Sequence, residues 1–242
     1  MLRDVSESAP VVPRQAGQPT SPAPAAIAPV KGTPIAGTTA SATRVLDIAL
    51  TMAGLILAGP LLAVGWLLAR ASSPGPGLFR QQRIGRDGTP FTILKLRTMR
   101  VNGDDAQHRA YVRGMLQGER CAQQQGMYKL AGDPRITRAG AFLRKTSLDE
   151  LPQLINVLRG DMSLVGPRPV LGYEAEMYRP ADQLRFAVRP GITGLWQVSG
   201  RSRLSMRQAL DLDSDFVRHY SVALYLTILA RTVPALLRGG AT

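Results

Sequence analysis

The chain has 242 residues, a formal net charge of +13 and a pI near 10.9. That length can bury a core without covalent staples, and the single cysteine, Cys121, excludes an intrachain disulfide or a cysteine metal cluster. With only His108 and His219, neither a histidine zinc site nor a Ser-His-Asp triad is expected, so any chemistry falls to carboxylates, arginines and hydroxyls.

The basic balance implies an anionic partner, which could be nucleic acid, anionic lipid or a phosphorylated substrate. Aromatic residues make up 5% of the chain, too few for the stacking platforms of single-strand binders, and no nucleic-acid motif is present. Nucleic acid is therefore not an expected partner. Residues 1–43 carry one net positive charge, so nearly all of the excess belongs to residues 44–242.

Residues 1–42 are rich in Pro, Ala, Ser, Thr and Gly without apolar periodicity, which predicts a disordered tail with no catalytic role. Its prolines break any apolar stretch that could serve as a secretory signal. Residues 45–69 form the one strongly apolar segment, long enough to cross a bilayer. Gly59-Pro60 should kink or break a helix there, and Asp47 near its start could pair with Arg44. A plain span and a broken helix both remain open on these residues.

After the turn-rich SSPGPGLF, strands at residues 79–83 and 91–96 flank Gly85-Arg86-Asp87-Gly88, whose Asp-Gly is a hairpin signal. From these residues alone, Lys95 and Arg97 read as a solvated strand edge. Residues 102–128 are polar with weak helical spacing, and His108 and Cys121 within them read as structural or surface residues.

Residues 133–169 are the stretch where chemistry is expected. Asp149 and Glu150 lie among Arg135, Arg138, Arg144, Lys145, Arg159 and Arg168. Leu151, Leu154, Ile155 and Leu158 recur at helical spacing with Gly160 as a stop, and Pro152 belongs in a first turn, so the pair is expected at a helix start. Ser147 and Glu150 match a capping box. The residues alone allow two readings, a helix cap or an ionised carboxylate able to attack phosphorus.

Further on, Pro167-Arg168-Pro169 restricts where one guanidinium can point; the residues alone read first as a Pro-rich turn with an exposed arginine, and the restriction also suits bidentate capture of phosphate oxygens. In RPGITGLWQVSGR (residues 189–201) the glycines permit close backbone approach, Arg189, Arg201 and Arg203 add cations, and Trp196 reads as a core or interface aromatic. Residues 211–237 read as one amphipathic helix, too short in its apolar part to span, able to lie in a headgroup plane with its arginines toward anionic lipid.

The run TSLDELPQLINVLRGDMSLVGPRP (residues 146–169) resembles the signature of the bacterial sugar transferases, the monotopic phosphoglycosyl transferases. The segment RVLD (residues 44–47), FRQQRIGRDGTPFTILKLRTM (residues 79–99) and RPGITGLWQVSGR agree with it in order, so the likeness extends from Arg44 to the C-terminus. The chain departs from the pattern at Tyr225, where members commonly carry an aspartate; Asp213 matches a commonly acidic position and is a weak site candidate.

The resemblance implies a mainly α fold with a small β-hairpin. A re-entrant helix-break-helix at residues 43–71, broken at Pro60, would enter and leave by the cytoplasmic face of the bacterial inner membrane. Residues 72–242 would form a cytoplasmic catalytic domain with membrane-surface helices. The implied reaction moves hexose 1-phosphate from a UDP-hexose to undecaprenyl phosphate and releases UMP, the first step of exopolysaccharide or capsule repeat assembly. Asp149 would be the nucleophile, assisted by Glu150, and both carboxylates would hold Mg²⁺. Arg144, Arg168, Lys95 and Arg201 would bind substrate phosphate. A non-catalytic basic membrane scaffold and a UDP-releasing glycosyltransferase are the competing expectations, and nothing in the residues identifies the sugar.

Overall fold

The computed structural model describes residues 37–100, 110, 113–116, 133–200 and 204–238. The greater part of the expected tail, His108, Cys121 and Arg201 lie outside the described residues.

Helix α1, Gly37–Ser72, is 36 residues long and begins inside the stretch expected to be tail. Its extra first turns are anchored by Thr43, whose Oγ1 bonds back to the carbonyls of Thr39 and Ala40 and meets the Tyr220 hydroxyl at 2.9 Å. Helical structure continues through Pro60, where the sequence predicts a break. Proline removes one backbone hydrogen bond, whereas unwinding the segment would break several more. α1 is long and apolar enough to cross a membrane by length and composition. Its two ends nevertheless dock on the same body: Thr43, Asp47 and Thr51 are buried near the start, Gly65 and Ala69 near the end. Between them the helix is bare, with Leu57 79% exposed.

The expected ion pair between Arg44 and Asp47 does not form. Arg44 instead donates to the carbonyls of Val157 (2.6 Å) and Leu158 (2.9 Å). Those oxygens sit at a helix C-terminus, where unpaired carbonyls favour a cation. Asp47, 2% exposed, accepts on Oδ1 from Ser163 Oγ (2.9 Å), Leu164 N–H (2.8 Å) and the Tyr225 hydroxyl (2.7 Å). A carboxylate taken from water needs several donors, and a single arginine would not replace them.

Strands β1 (Leu78–Ile84) and β2 (Pro90–Leu96) pair antiparallel as predicted, with Lys95 opposite Phe79. Asp87 adopts φ 56° in the connecting turn, a conformation aspartate tolerates. Arg97, just after β2, turns inward and donates to the carbonyls of Ala69, Ser73 and Pro74. It closes the C-terminal end of α1 and is a structural cation.

Helix α2 (Arg138–Lys145) starts on Thr137, whose hydroxyl accepts from Gly140 N–H. A 3₁₀ turn, Leu148–Glu150, carries the two carboxylates, and α3 (Gln153–Arg159) comes next, ended by Gly160 at φ 90°. The α-helix thus begins four residues beyond Asp149. The Ser147 capping box is absent, because Ser147 takes a left-handed φ of 58° and Glu150 bonds elsewhere. β3 (Ser163–Val165) pairs parallel with β4 (Gly191–Thr193). The short helices α4 (Gly172–Glu176) and α5 (Leu195–Ser199) flank a 3₁₀ segment at Pro180–Ala187.

The single C-terminal helix expected at residues 211–237 is two, α6 (Met206–Arg218) and α7 (Val222–Arg238). Ser221 caps α7 by accepting from Leu224 N–H, which reorients the chain. Trp196 packs in a core with Met206, Ala209 and Leu210, as expected of a core aromatic. A second core joins Val165, Phe216, Val217, Tyr225 and Ile228.

Burial, then the bond to Asp47, push the Tyr225 phenol far above its ordinary range, so it stays a protonated donor. Tyr225→Phe should lower stability by about 1.5–3 kcal/mol, the scale of a hydrogen bond to a charged group. The melting midpoint of the detergent-solubilised protein should fall accordingly; an unchanged midpoint would mean that the Asp47 junction does not depend on the phenol.

Candidate active site

The two carboxylates are presented by a bent connection between α2 and α3. Ser147 holds the left-handed conformation that aims the 3₁₀ turn away from α2, a strain of the kind that collects at functional sites. Asn156, wholly buried on α3, fixes the turn's distance from the hairpin. Its Oδ1 accepts from Leu94 N–H (3.0 Å), while Nδ2 donates to the Thr92 carbonyl (2.8 Å) and to Asp161 (3.1 Å). Pinned in this way, α3 brings Glu150 to 2.9 Å from Lys95 on β2.

The Pro167-Arg168-Pro169 segment arrives from the other side. Gly166 N–H donates to Thr193 O, and Gly191 N–H to Pro167 O. At Gly191 a Cβ would collide with the backbone of Gly166, so this crossing requires glycine. Ile84 N–H donates to Val170 O, and Arg185 donates to the Arg168 carbonyl at 2.8 Å, which ties the loop to β1 and to the core.

Between these supports lies a cleft lined by Arg83, Ile93, Lys95, Glu150, Gln153, Arg168, Pro169, Gly191 and Ile192. Three of the sequence-predicted residues, Lys95, Glu150 and Arg168, meet there. Asp149 is the adjoining residue of the same 3₁₀ turn and is part-exposed. Arg144 stands at the end of α2, outside the cleft lining, where its charge acts on Asp133. The bond from Arg135 is the main force holding the Asp133 carboxyl below the usual carboxylate range.

Asp213 does not line the cleft. It is buried on α6 at 2.8 Å from Arg185, the residue that holds the Arg168 carbonyl, so it supports the loop from behind. Burial pushes its carboxyl up to about 6, against the opposing pull of Arg185. Arg83 and Gln153 are cleft residues that sequence reasoning passed over. The signal that could have found one of them was Gln153 itself, a polar residue one turn after Glu150 among the apolar positions of its helix.

Among the described residues no three His, Cys, Asp or Glu side chains gather as a metal cage. The pair Asp149 and Glu150 fits a looser demand. Mg²⁺ is commonly held by one or two carboxylates, with substrate phosphate oxygens and water completing its octahedral shell.

Breaking the buried pair behind the loop should be costly. Asp213→Ala leaves Arg185 as an uncompensated buried charge and should destabilise the protein by about 3–5 kcal/mol. Thermal unfolding in detergent checks this; a small loss would show that Arg185 finds another partner.

Comparison with known proteins gives the geometry its context. The family model described as bacterial sugar transferase matches residues 38–239. The chain is 39% identical over 189 residues to the exopolysaccharide production protein ExoY of Rhizobium meliloti, covering 78% of this chain and 82% of that one. It is 44% identical over 200 residues to the UDP-glucose:undecaprenyl-phosphate glucose-1-phosphate transferase of Caulobacter vibrioides, covering 79% and 68%. With the undecaprenyl-phosphate galactose phosphotransferase of Salmonella typhimurium the identity is 40% over 194 residues, covering 79% of this chain but only 40% of that longer protein. The match includes the 3₁₀ turn, the hairpin and the Arg168 loop within one family-wide stretch, and the chain belongs to the bacterial sugar transferase family.

Proposed function

We propose that the protein transfers hexose 1-phosphate from a UDP-sugar to undecaprenyl phosphate and releases UMP, the first step of exopolysaccharide or capsule repeat-unit assembly. The observation that carries this reading is the convergence of Lys95, Arg168 and Glu150 on one cleft beside Asp149. The names of the Caulobacter and Salmonella relatives support the substrates.

Both substrates carry phosphate, so the transition state concentrates negative charge, and fixed cations lower its energy most where water is excluded. Lys95, from β2, and Arg168, from the Pro167-Arg168-Pro169 segment, supply such cations. Asp149 Oδ attacks the sugar-side phosphorus, and the bond from that phosphorus to the bridging oxygen breaks as UMP leaves. An oxygen of the lipid phosphate then attacks the same phosphorus, regenerating the Asp149 carboxylate and forming the diphosphate-linked lipid sugar. Glu150, held by Lys95, keeps the turn in register with β2. Mg²⁺, held by Asp149 and Glu150, would supply further neutralisation of phosphate charge.

A lipid acceptor requires a membrane, and the reading places the chain at the bacterial inner membrane with its catalytic body on the cytoplasmic face. Two features of α1 favour a re-entrant, monotopic arrangement: both ends dock on one body, and the segment around Leu57 and Pro60 between them is bare and apolar.

With undecaprenyl phosphate and a panel of UDP-sugars, purified protein in nanodiscs should release UMP. Release of UDP instead would replace this reading with ordinary glycosyl transfer. Asp149→Asn should abolish turnover with membrane binding intact, and Glu150→Gln should impair it severely; full activity of Asp149→Asn would remove it as nucleophile. Arg168→Lys keeps the charge but loses the planar fork, and kcat/KM should fall roughly ten- to a hundredfold, about 1.4–2.7 kcal/mol. Wild-type kinetics in the Arg168→Lys variant would refute bidentate binding. For topology, a single cysteine at position 20 in a Cys121→Ser background should resist an impermeant thiol reagent until the inner membrane is opened. Labelling of intact cells would mean that α1 spans.

A further inference from the structure

Gln153 has no role in the mechanism above, yet its setting is that of a ligand-reading group. The residue is 3% exposed and lines the cleft, and its amide makes no hydrogen bond among the described residues. The amide atoms are not among the side-chain atoms sealed from solvent without a partner, so they open onto the cleft, where a ligand entering it can reach them and replace their water. The neighbouring polar residue of α3, Asn156, is fully satisfied by β2 and Asp161, so local packing does not force the difference.

Its position narrows what it reads. Residues three apart eclipse in a 3₁₀ turn, and Leu151 (φ −54°, ψ −37°) and Pro152 (φ −60°, ψ −18°) carry helical dihedrals from that turn into α3. Gln153 therefore stands one turn past Glu150 on the same side, about 5–6 Å along the wall. A phosphorus attacked from Asp149 bears the hexose through a single oxygen, which puts the sugar ring at that range. The uracil lies beyond a second phosphate and a ribose. Phosphate oxygens only accept, and Lys95, Arg168 and Arg83 already offer them cations. An amide both donates and accepts, which matches a hydroxyl, and the adjacent Ile93, Pro169 and Ile192 offer an apolar wall to the C–H face of a sugar ring.

We infer that Gln153 binds a ring hydroxyl of the donor hexose and is a determinant of sugar specificity. This rests on the transfer reaction proposed above. A site built to bond a hydroxyl discriminates strongly against a donor lacking it, because the buried amide is then left unpaired.

The test uses full-length protein in nanodiscs with UDP-glucose, UDP-galactose and the single-deoxy analogues of whichever is turned over, scoring UMP release. In the wild type, one deoxy donor should lose at least about tenfold in kcat/KM relative to its parent. In Gln153→Met, close in length and without the amide, that ratio should collapse toward one while the ratios for the other deoxy donors stay as they were. Because each ratio is taken within one preparation, it is independent of the fraction folded, and Gln153→Leu serves if the methionine variant is not recovered. Unchanged ratios for every deoxy donor would overturn the inference. If wild type releases UMP and the ratios do not move, only the role of Gln153 fails; if wild type releases no UMP from any donor, the proposed reaction fails with it.

Discussion

One buried carboxylate organises the molecule. Asp47 sits on the long apolar helix, but its three hydrogen-bond donors come from β3 and α7, more than a hundred residues later. A carboxyl taken from water must be hydrogen-bonded, so the packing of α1 against β3 and α7 is coupled through this one group. The consequence reaches the cleft, because β3 runs directly into Gly166 and the Arg168 loop, and the parallel pairing with β4 holds that loop in place. The long apolar helix and the cleft's arginine loop are thereby mechanically joined.

Similar logic recurs wherever a polar side chain is buried. Arg44 closes the C-terminal carbonyls of α3, Arg97 those of α1, Asn156 stitches α3 to β2, and Arg185 bridges Asp213 to the Arg168 carbonyl. Each bond is long-range in sequence and ends on backbone or on an opposite charge. They hold the supports of the cleft cations Lys95 and Arg168 in place, which is the preorganisation that phosphoryl transfer demands.

Tyr225 serves the same junction. Its phenol donates to Asp47 while its ring is completely buried among Val165, Phe216 and Ile228, so the residue reads as structural.

The hairpin, the Gly160 stop, the core position of Trp196 and the cluster of acid among base were all legible in the sequence, because each depends on neighbours within a few residues. Turn chemistry, helical spacing and glycine geometry are local, and the motif blocks carried the family. What the tertiary structure decided was long-range: that Arg44 and Asp47 part company, that Glu150 abandons a capping box for Lys95, and that Arg97 faces inward while Lys95 lines the site. A buried polar group takes the partner that the assembled fold brings within hydrogen-bond distance, and sequence proximity has no hold on that choice once water is gone.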